Sequence, residues 1–348
     1  MVAVSVQIGI GLFTGQIPAG SDRTFATEYR EMLELVRLAE ALGFDSAWVS
    51  EHHGASDGYL PSLLPVLAAF AAVTERMRLG TGVVLAPLHD PLRLAEDAAV
   101  VDQLSGGRLI LGLGAGWRDE EFRMFGAPRS ERAQRTTETI EILRRAWTGR
   151  RFSFEGRCFR YERVRVTPPA AQAGGPPIFL GGYAEAAVRR AGRLADGYIT
   201  DDAGIEDVRR YLAIAEQGAR DASREPRSLA LALLQNAFVA QDGDAWALAR
   251  EGVRHQMGAY AAWAAGHDTA GHDSLEPIVQ DEEELRRWTL AGTPQELIGA
   301  LRPVVSAFGD RAELHLIVRL HYPGMDFSTA SRAVELFGEE VLPALKGA

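Results

Sequence analysis

One stretch of the chain decides its fold: RLGTGVVLAPLHDPLRLAEDAAVVDQLSGGRLILGLGAGWRDEEF, residues 78–122. It contains most of an apolar run at 77–85 and all of a second run at 108–114. The segment between them, 91–107, starts at a proline and stops at a glycine pair, as helices commonly do. Because continuous runs of Val, Ile and Leu are typical of buried parallel strands, the stretch predicts a strand, a helix and a parallel strand.

Similar runs recur along the whole chain. We predict eight strands, at 4–10, 44–50, 77–85, 108–114, 176–182, 197–200, 229–240 and 313–320. Amphipathic helical stretches lie between them, and one of these begins with a capping box formed by Thr293 and Glu296. Eight strands that alternate with helices can form an open sheet or a closed barrel, and the absence of an early GxGxxG favours the barrel.

The predicted fold is therefore α/β, a single (β/α)8 TIM-barrel domain over residues 1–348. Three segments exceed the minimal barrel unit and are expected to be insertions: 114–128 after the fourth strand, 150–175 before the fifth, and 241–292 after the seventh. The second insertion contains RFSFEGRCFRYERV, which we predict to be a β-hairpin.

The composition limits the classes of function. The chain carries a net charge of −10, so we expect no binding of nucleic acid or of an anionic membrane. The single cysteine, Cys158, excludes a disulfide framework and a structural zinc site built on cysteines. The sequence has no apolar run of about 18 residues and no signal-peptide pattern, so a cytoplasmic protein is expected.

Three ionisable residues, Glu51, His52 and His53, directly follow the second predicted strand. The active site of a (β/α)8 barrel lies at the carboxyl ends of its strands, so this cluster is a candidate for catalysis. The alternative is that these histidines only hydrogen-bond to their surroundings. Successive strand side chains point to opposite faces, which disfavours one metal ion bound by both histidines. We interpret GHDTAGHD (266–273) as a flexible loop, and no metal is expected.

Glycines mark the ends of three other predicted strands, in GTGVVL (80–85), LGLGAGW (111–117) and FLGGYAEAAVRRAG (179–192). Glycine lets a ligand approach the backbone, and the helix that follows Gly181 and Gly182 offers free amides to an anion. Each pattern alone is equally compatible with close packing or a tight turn. Together they predict an open pocket for a large planar cofactor with a phosphate tail.

These motifs resemble the bacterial luciferase-like flavin-dependent monooxygenases. The resemblance is carried by FDSAWVSEHH (44–53), by the block at 78–122 and by PPIFLGGYAEAAVRRAGRLADGYI (176–199). It extends over about residues 5–200 and returns more weakly at AGTPQEL (291–297) and in the eighth strand. It implies a (β/α)8 barrel that binds reduced FMN at its carboxyl face.

Matched residue by residue, the resemblance implies a set of site residues. His52 falls on the family's active-site histidine, with Glu51 beside it under the isoalloxazine ring. The implied cofactor-binding residues are Thr81, Gly82, Val83, Gly114, Gly181, Gly182, Tyr183 and Ala184. A non-proline cis peptide is expected within 81–83, and the loop at 181–184 is expected to hold the phosphate. We assign the substrate side to Trp117, Arg319 and His321, although Arg319 could instead be a buried charge paired with an acid.

The sequence departs from the family at the end of the fourth strand. Luciferase carries a reactive cysteine and an arginine there, whereas the matching positions in this chain are about Gly114 and Ala115. Light emission is therefore not supported, and the phosphate loses one expected cation. Arg118 is the nearby candidate to replace that cation.

The resemblance implies a two-component monooxygenase. A separate NAD(P)H flavin reductase would supply FMNH2, O2 would add to the flavin, and the resulting peroxide would oxygenate a small organic substrate, with His52 as hydrogen-bond partner or general base. A homodimer is expected on the same ground. The main alternative is an F420-dependent oxidoreductase that transfers hydride on the same fold. F420 has an acidic tail that requires several basic residues at the pocket mouth, and the sequence has no obvious cluster of them. A flavin-binding protein without turnover and a metal-dependent hydrolase are the remaining alternatives.

Overall fold

The computed structural model describes residues 6–201, 204–241, 244–265, 281–309, 311 and 313–347. The described strands are β1 (Val6–Phe13), β2 (Ser46–Val49), β3 (Arg78–Thr81), β4 (Val84–Leu85), β5 (Leu109–Gly114), β6 (Phe152–Glu155), β7 (Arg160–Val164), β8 (Ile178–Gly181), β9 (Gly197–Asp201), β10 (Ala230–Val239), β11 (Leu290–Gly292) and β12 (Leu314–Arg319). Eight parallel strands form a closed ring in the order β1, β2, β3, β5, β8, β9, β10 and β12, and β12 pairs with β1. The predicted (β/α)8 barrel is confirmed.

Helices follow the strands around the outside of the barrel. The described helices are α1 (Phe25–Ala41), α2 (Leu63–Val73), α3 (Pro91–Leu104), α4 (Asp119–Met124), α5 (Arg132–Ala146), α6 (Glu185–Leu194), α7 (Ile205–Asp221), α8 (Ala245–Ala264), α9 (Glu282–Arg287), α10 (Pro294–Phe308), α11 (Phe327–Leu336) and α12 (Leu342–Lys346). The predicted capping box of Thr293 and Glu296 is present at the start of α10. None of the helices in the described ranges has both the length and the apolar character that a membrane crossing requires.

The third barrel strand is interrupted where the sequence predicted a single run over 77–85. β3 ends at Thr81, the Gly82–Val83 peptide bond is cis, and the chain then pairs with β5 again as β4. The cis peptide expected from the resemblance is therefore present. In the gap, the Thr81 hydroxyl donates to the carbonyl of Gly112 and accepts from its N–H, both at 2.8 Å. This buried side chain holds β3 against β5, so only the backbone of Thr81 is left to support a ligand.

Trp48 of β2 fills the amino-terminal part of the barrel interior. Its ring packs against Phe179 and His315, with ring centroids 6.2 and 5.7 Å away. Gly80 on the neighbouring strand makes room for it, because a Cβ at this position would overlap the Trp48 ring. This part of the interior is a packed core, as is usual in such barrels.

The interior is more open towards the carboxyl ends of the strands. The inward side chains of Leu12, Ile199 and Leu234 keep 7–9% of their surface exposed, whereas Trp48 beneath them has none. Val83, which follows the cis peptide, packs against the same group and is only partly buried. An apolar surface therefore faces a cavity on the side where (β/α)8 barrels place their active sites.

The predicted insertions carry structure of their own. β6 and β7 form an antiparallel hairpin, which confirms the prediction for 150–175, and α4 lies within 114–128. Within 241–292, α8 and α9 precede β11, which adds a parallel strand beside β10. The GHDTAGHD segment (266–273) lies outside the described residues.

Candidate active site

His52 lies just beyond β2 and forms a buried pair with Glu121 of α4. The His52 Nδ1 is 2.8 Å from the Glu121 Oε1, which also accepts from the backbone N–H of His53 at 3.0 Å and from Arg118 Nη1 at 3.2 Å. Because a carboxylate accepts hydrogen bonds, the proton of a neutral His52 is assigned to Nδ1, and Nε2 keeps a free lone pair. The His52 Nε2 makes no hydrogen bond within the described part of the chain. The pair therefore has the arrangement of a general base oriented by a carboxylate.

Four aromatic side chains surround the His52 ring, and we call them the aromatic cage: Tyr59 after β2, Trp117 after β5, and Tyr260 and Trp263 on α8. Their ring centroids lie 4.8 Å (Trp263), 4.9 Å (Tyr59), 5.4 Å (Tyr260) and 6.3 Å (Trp117) from that of His52. The hydroxyls of Tyr59 and Tyr260 are 3.0 Å apart. The cage surrounds the imidazole with flat, largely apolar walls, and only Trp117 among its members was predicted from the sequence.

Glu51, predicted to act beside His52, is hydrogen-bonded elsewhere. Its Oε1 is 2.8 Å from His53 Nε2 and 3.0 Å from His89 Nε2. The donor atoms of these three residues lie within 4.8 Å of one another, a spacing that could also suit a metal ion, but the hydrogen bonds already pair them. Burial would raise the pKa of Glu51, and the hydrogen bonds from His53 and His89 lower it on balance. Glu51 is thus hydrogen-bonded to two neighbouring histidines, and its role beside the cofactor stays a prediction. His52 and His53 have different partners, as strand alternation predicted.

The bond between Glu51 and His89 makes stability depend on pH. Burial would lower the pKa of His89, but the bond to Glu51 raises it on balance. The contribution of His89 to the free energy of unfolding is therefore complete below about pH 6.5, the ordinary histidine pKa, and is lost as pH rises through the folded-state value. We expect the advantage of the wild type over His89→Gln in urea unfolding to shrink above that pH, by at most about 1.4 kcal/mol per pH unit. An advantage that stays constant up to pH of about 9 would contradict this assignment.

The loop between β8 and α6 has open backbone amides. Gly181 ends β8, Gly182 has a φ of +150°, and Ala184 is the N-cap of α6 without a side-chain hydrogen bond to the helix. The N–H of Ala187 donates to the carbonyl of Ala184, so the N–H groups of Glu185 and Ala186 are the ones left to an anion. The Tyr183 hydroxyl donates to Asp201 of β9, so its polar atom is directed at β9.

Three arginines lie near one another on the helices that follow β5 and β8: Arg132 at the start of α5, Arg190 in the second turn of α6 and Arg193 in its last turn. We call them the arginine cluster. Burial lowers the pKa of Arg190, and the charges of Arg193 and Arg132 lower it further, so the guanidinium groups are close enough to repel one another. Arg190 has no hydrogen bond or ion pair with another described residue. Cations that repel one another create a positive potential along α6, the helix that begins at the open amides.

Arg118, the candidate to replace the missing phosphate cation, lies on the other side of the site. It is buried beside the His52–Glu121 pair, where Nη1 donates to the carbonyl of His53 at 3.0 Å and the guanidinium lies 4.0 Å from the centroid of the Trp263 ring. The prediction for Arg118 is therefore wrong. The reason is that the chain leaving β5 runs towards the loop after β2, and not towards β8.

Arg319 and His321, predicted together on the substrate side, have different surroundings. Arg319 ends β12, and its charge acts on the two tyrosines of the aromatic cage. His321 packs beside Phe13, and its Nε2 is 3.6 Å from Oε1 of Glu28 on α1. Burial and the charge of Arg23 lower the pKa of His321 to about 4, so this residue is neutral near pH 7. Of the two, Arg319 is the one that interacts with the residues around His52.

A planar cofactor with an anionic tail fits these residues. The apolar surface of Leu12, Val83 and Ile199 offers a floor for a ring system. Gly114 lies against Val83, where a side chain would have no room, so the β5 edge of the cavity stays open. The loop at 181–184 and the arginine cluster provide amides and positive charge for the tail.

Comparisons with known proteins bear on the family of this chain. A family model described as luciferase-like monooxygenase matches residues 6–311. The chain is 30% identical to the F420-dependent glucose-6-phosphate dehydrogenase of Nakamurella multipartita, over 91% of this chain and 92% of that protein. It is 31% identical to the F420-dependent glucose-6-phosphate dehydrogenase 1 of Rhodococcus jostii, over 91% of this chain and 95% of that protein. The crystal structure of the monooxygenase RslO1 from Streptomyces bottropensis is 28% identical, with a TM-score of 0.81 over 97% of this chain and 99% of that one.

Proposed function

Because the chain belongs to the luciferase-like monooxygenase family, we propose that it is an F420-dependent oxidoreductase that transfers hydride between the cofactor and a small organic substrate. The family and the oxidoreductases among its relatives support the conclusion that this chain is an enzyme that uses a flavin or F420. The sequence analysis expected FMN, with F420 as the alternative. The relatives that are 30–31% identical to this chain support the alternative.

The observation that carries the choice of F420 is the arginine cluster. The sequence argument against F420 was the lack of a basic cluster for its acidic tail, and folding brings Arg132 within charge range of Arg190 and Arg193 on α6, the helix that begins at the loop of residues 181–184. A single phosphate needs fewer cations than a tail that carries further carboxylates. Unpaired guanidinium groups bind carboxylates and phosphates through charge-assisted, often bidentate hydrogen bonds.

The residues around His52 suit proton transfer coupled to hydride transfer. Bound F420 supplies a ring that takes up or releases a hydride. When an alcohol is oxidised, the C–H electron pair leaves the substrate with its hydrogen as hydride, and the O–H proton goes to Nε2 of His52. Glu121 stabilises the resulting imidazolium through Nδ1, at 2.8 Å. The aromatic cage keeps bulk water away from the reacting atoms.

A turnover assay tests this function. We expect the purified protein to reduce F420 anaerobically with a member of a panel of small alcohols and sugar phosphates, as followed by the loss of the visible absorbance of F420. Reduction of F420 in the absence of O2 is the expected result. No reduction by any panel member, together with substrate-dependent O2 consumption when FMN and a flavin reductase are supplied, would overturn it.

A specific prediction concerns the cofactor tail. Arg190→Ala should weaken F420 binding about tenfold, because one charge-assisted hydrogen bond contributes about 1.5–3 kcal/mol. Binding of riboflavin, which has no anionic tail, should not change. Arg189→Ala is the matched control, since Arg189 lies on the same helix but pairs with Glu185 and Asp221 at 3.0 Å. Fluorescence titration measures all these affinities, and equal effects of the two substitutions would contradict the role of Arg190.

The second candidate function is the FMN-dependent monooxygenase. It is favoured by the similarity to a solved monooxygenase at 28% identity. In this case a separate NAD(P)H flavin reductase would supply FMNH2 and O2 would be the second substrate. Titration with FMN and F420 distinguishes the two, because an FMN enzyme gains nothing from the additional charges of the F420 tail.

A further inference from the structure

Arg319 is a buried cation on the inner face of the barrel. Side chains of β12 alternate between the two faces of the sheet, and His315 and Ile317 point inwards, where His315 packs against Trp48 and Phe179. Arg319 follows at the same spacing, and it is the last residue of the strand. Its guanidinium therefore lies inside the barrel near the carboxyl face, beneath the aromatic cage.

This guanidinium lacks the partners that a buried charge normally has. Arg319 is 2% exposed, and its Nε and Nη1 are buried without a hydrogen-bond partner. Within the described ranges no carboxylate forms an ion pair with it, which removes the interpretation as a buried structural ion pair. Arginine cannot release its proton to escape this cost, and a buried unpaired ion costs several kcal/mol. An arrangement this costly is expected where a ligand provides the missing anion.

The surroundings of Arg319 indicate how such a ligand would be held. Burial raises the pKa of Tyr59 and of Tyr260, and the charge of Arg319 opposes that rise, so the guanidinium acts directly on both phenols. The two hydroxyls are hydrogen-bonded to each other at 3.0 Å, so one O–H is left to donate to an oxyanion that also accepts from the guanidinium. Asp201 is the carboxylate whose charge acts on Tyr260, and it is hydrogen-bonded to Tyr183.

From these contacts we propose that Arg319, with Tyr59 and Tyr260, binds an oxyanion of the substrate, so that the enzyme acts on small acids with a flat apolar body. The rest of such a molecule would lie within the aromatic cage, because both tyrosines also contact the His52 ring, at centroid distances of 4.9 and 5.4 Å. The acid group thereby directs the reacting carbon to His52. This inference rests on the proposed function, in which the aromatic cage is the substrate site. Binding of an oxyanion can nevertheless be measured without any cofactor.

The proposal is tested by calorimetric titration of the cofactor-free protein with an acid and with the amide of the same shape, which compares their affinities. We expect 2-naphthoate to bind at least about tenfold more tightly than 2-naphthamide, because only the carboxylate is an anion that can pair with the guanidinium through bidentate, charge-assisted hydrogen bonds. Glucose 6-phosphate against glucose is the second pair, and it shows whether the oxyanion is a carboxylate or a phosphate. The proposal is overturned if neither pair shows tighter binding of the charged member.

Substitution of Arg319 makes the test specific. Arg319→Met should abolish the preference for the acid and, because it removes an unpaired buried charge, should raise the midpoint of thermal unfolding of the ligand-free protein. Arg319→Lys keeps the charge but loses the fork of donors, so a reduced preference is expected and folding is preserved. Arg78→Met, which removes the ion pair with Glu313 at the opposite end of the barrel, is the control and should keep the full preference. The proposal is overturned if Arg319→Met still prefers the acid, or if this variant unfolds at a lower temperature than the wild type. Failure of F420 to bind would affect only the choice of cofactor.

Discussion

His52→Ala lowers the turnover number about 10²- to 10⁴-fold, which is the usual range for loss of a general acid–base group. The expectation rests on the position of Nε2, which is unpaired inside the aromatic cage while Nδ1 is held by Glu121 at 2.8 Å. Because alanine leaves the cofactor floor and the phosphate loop untouched, the affinity for F420 should not change. Steady-state reduction of F420 and a parallel binding titration measure the two effects.

The control for this variant is His89→Gln. His89 belongs to the same group of histidines but contacts Glu51 and not the aromatic cage, so turnover should remain close to that of the wild type. If His52→Ala kept the wild-type turnover, the proton would have to go to another group. If both variants lost activity equally, the loss would reflect a displaced loop and not the chemistry of His52.

Glu121→Ala should lower the free energy of unfolding by about 3–5 kcal/mol, the range found when one partner of a buried ion pair is removed. The carboxylate is fully buried and accepts from His52, from Arg118 and from the backbone of His53. Without it, the guanidinium of Arg118 stays buried with no acidic partner at hydrogen-bonding distance among the described residues. Urea unfolding followed by far-ultraviolet circular dichroism measures the change.

Glu120→Ala provides a matched control one residue away. Glu120 is half-buried, and its carboxylate pairs with Arg123 at 2.9 Å on α4, so its loss should change the free energy of unfolding by no more than about 0.5 kcal/mol. Glu121→Gln keeps the shape of the side chain but not its charge, and it should also lower turnover, because the imidazolium of His52 is no longer stabilised. If the Glu120→Ala and Glu121→Ala variants had equal free energies of unfolding, the stabilising role assigned to the buried Glu121 carboxylate would be contradicted.

Many residues of the site could be predicted from the sequence, because the active site of a (β/α)8 barrel lies at the carboxyl ends of its strands. Once eight strands were assigned, His52, Trp117 and the loop at 181–184 were all placed at one face. The cis peptide at Gly82–Val83 was expected only through the family resemblance. The partner of His52 was missed, since RDEEF contains three acids and only the fold selects Glu121.

The missed residues share one physical property, which is that their contacts join distant parts of the chain. His52 and Glu121 are 69 residues apart, and Tyr59 and Tyr260 are 201 residues apart. The arginine cluster joins α5 to α6, so inspection of either helix alone showed only an ordinary charged surface. The wrong prediction for Arg118 has the same origin, because the path of the chain after β5 is set by tertiary packing.

The order and type of the barrel elements follow from local patterns: continuous apolar runs, proline and glycine at helix ends, and the capping box at Thr293. Such patterns depend on neighbours within a few residues, so they can be read before the chain folds. The charge state and direction of a side chain depend instead on burial and on partners brought from elsewhere. Tertiary structure alone therefore decided that Glu51 bonds to His53, that Glu121 bonds to His52, and that Arg319 is a buried cation without an acid among the described residues.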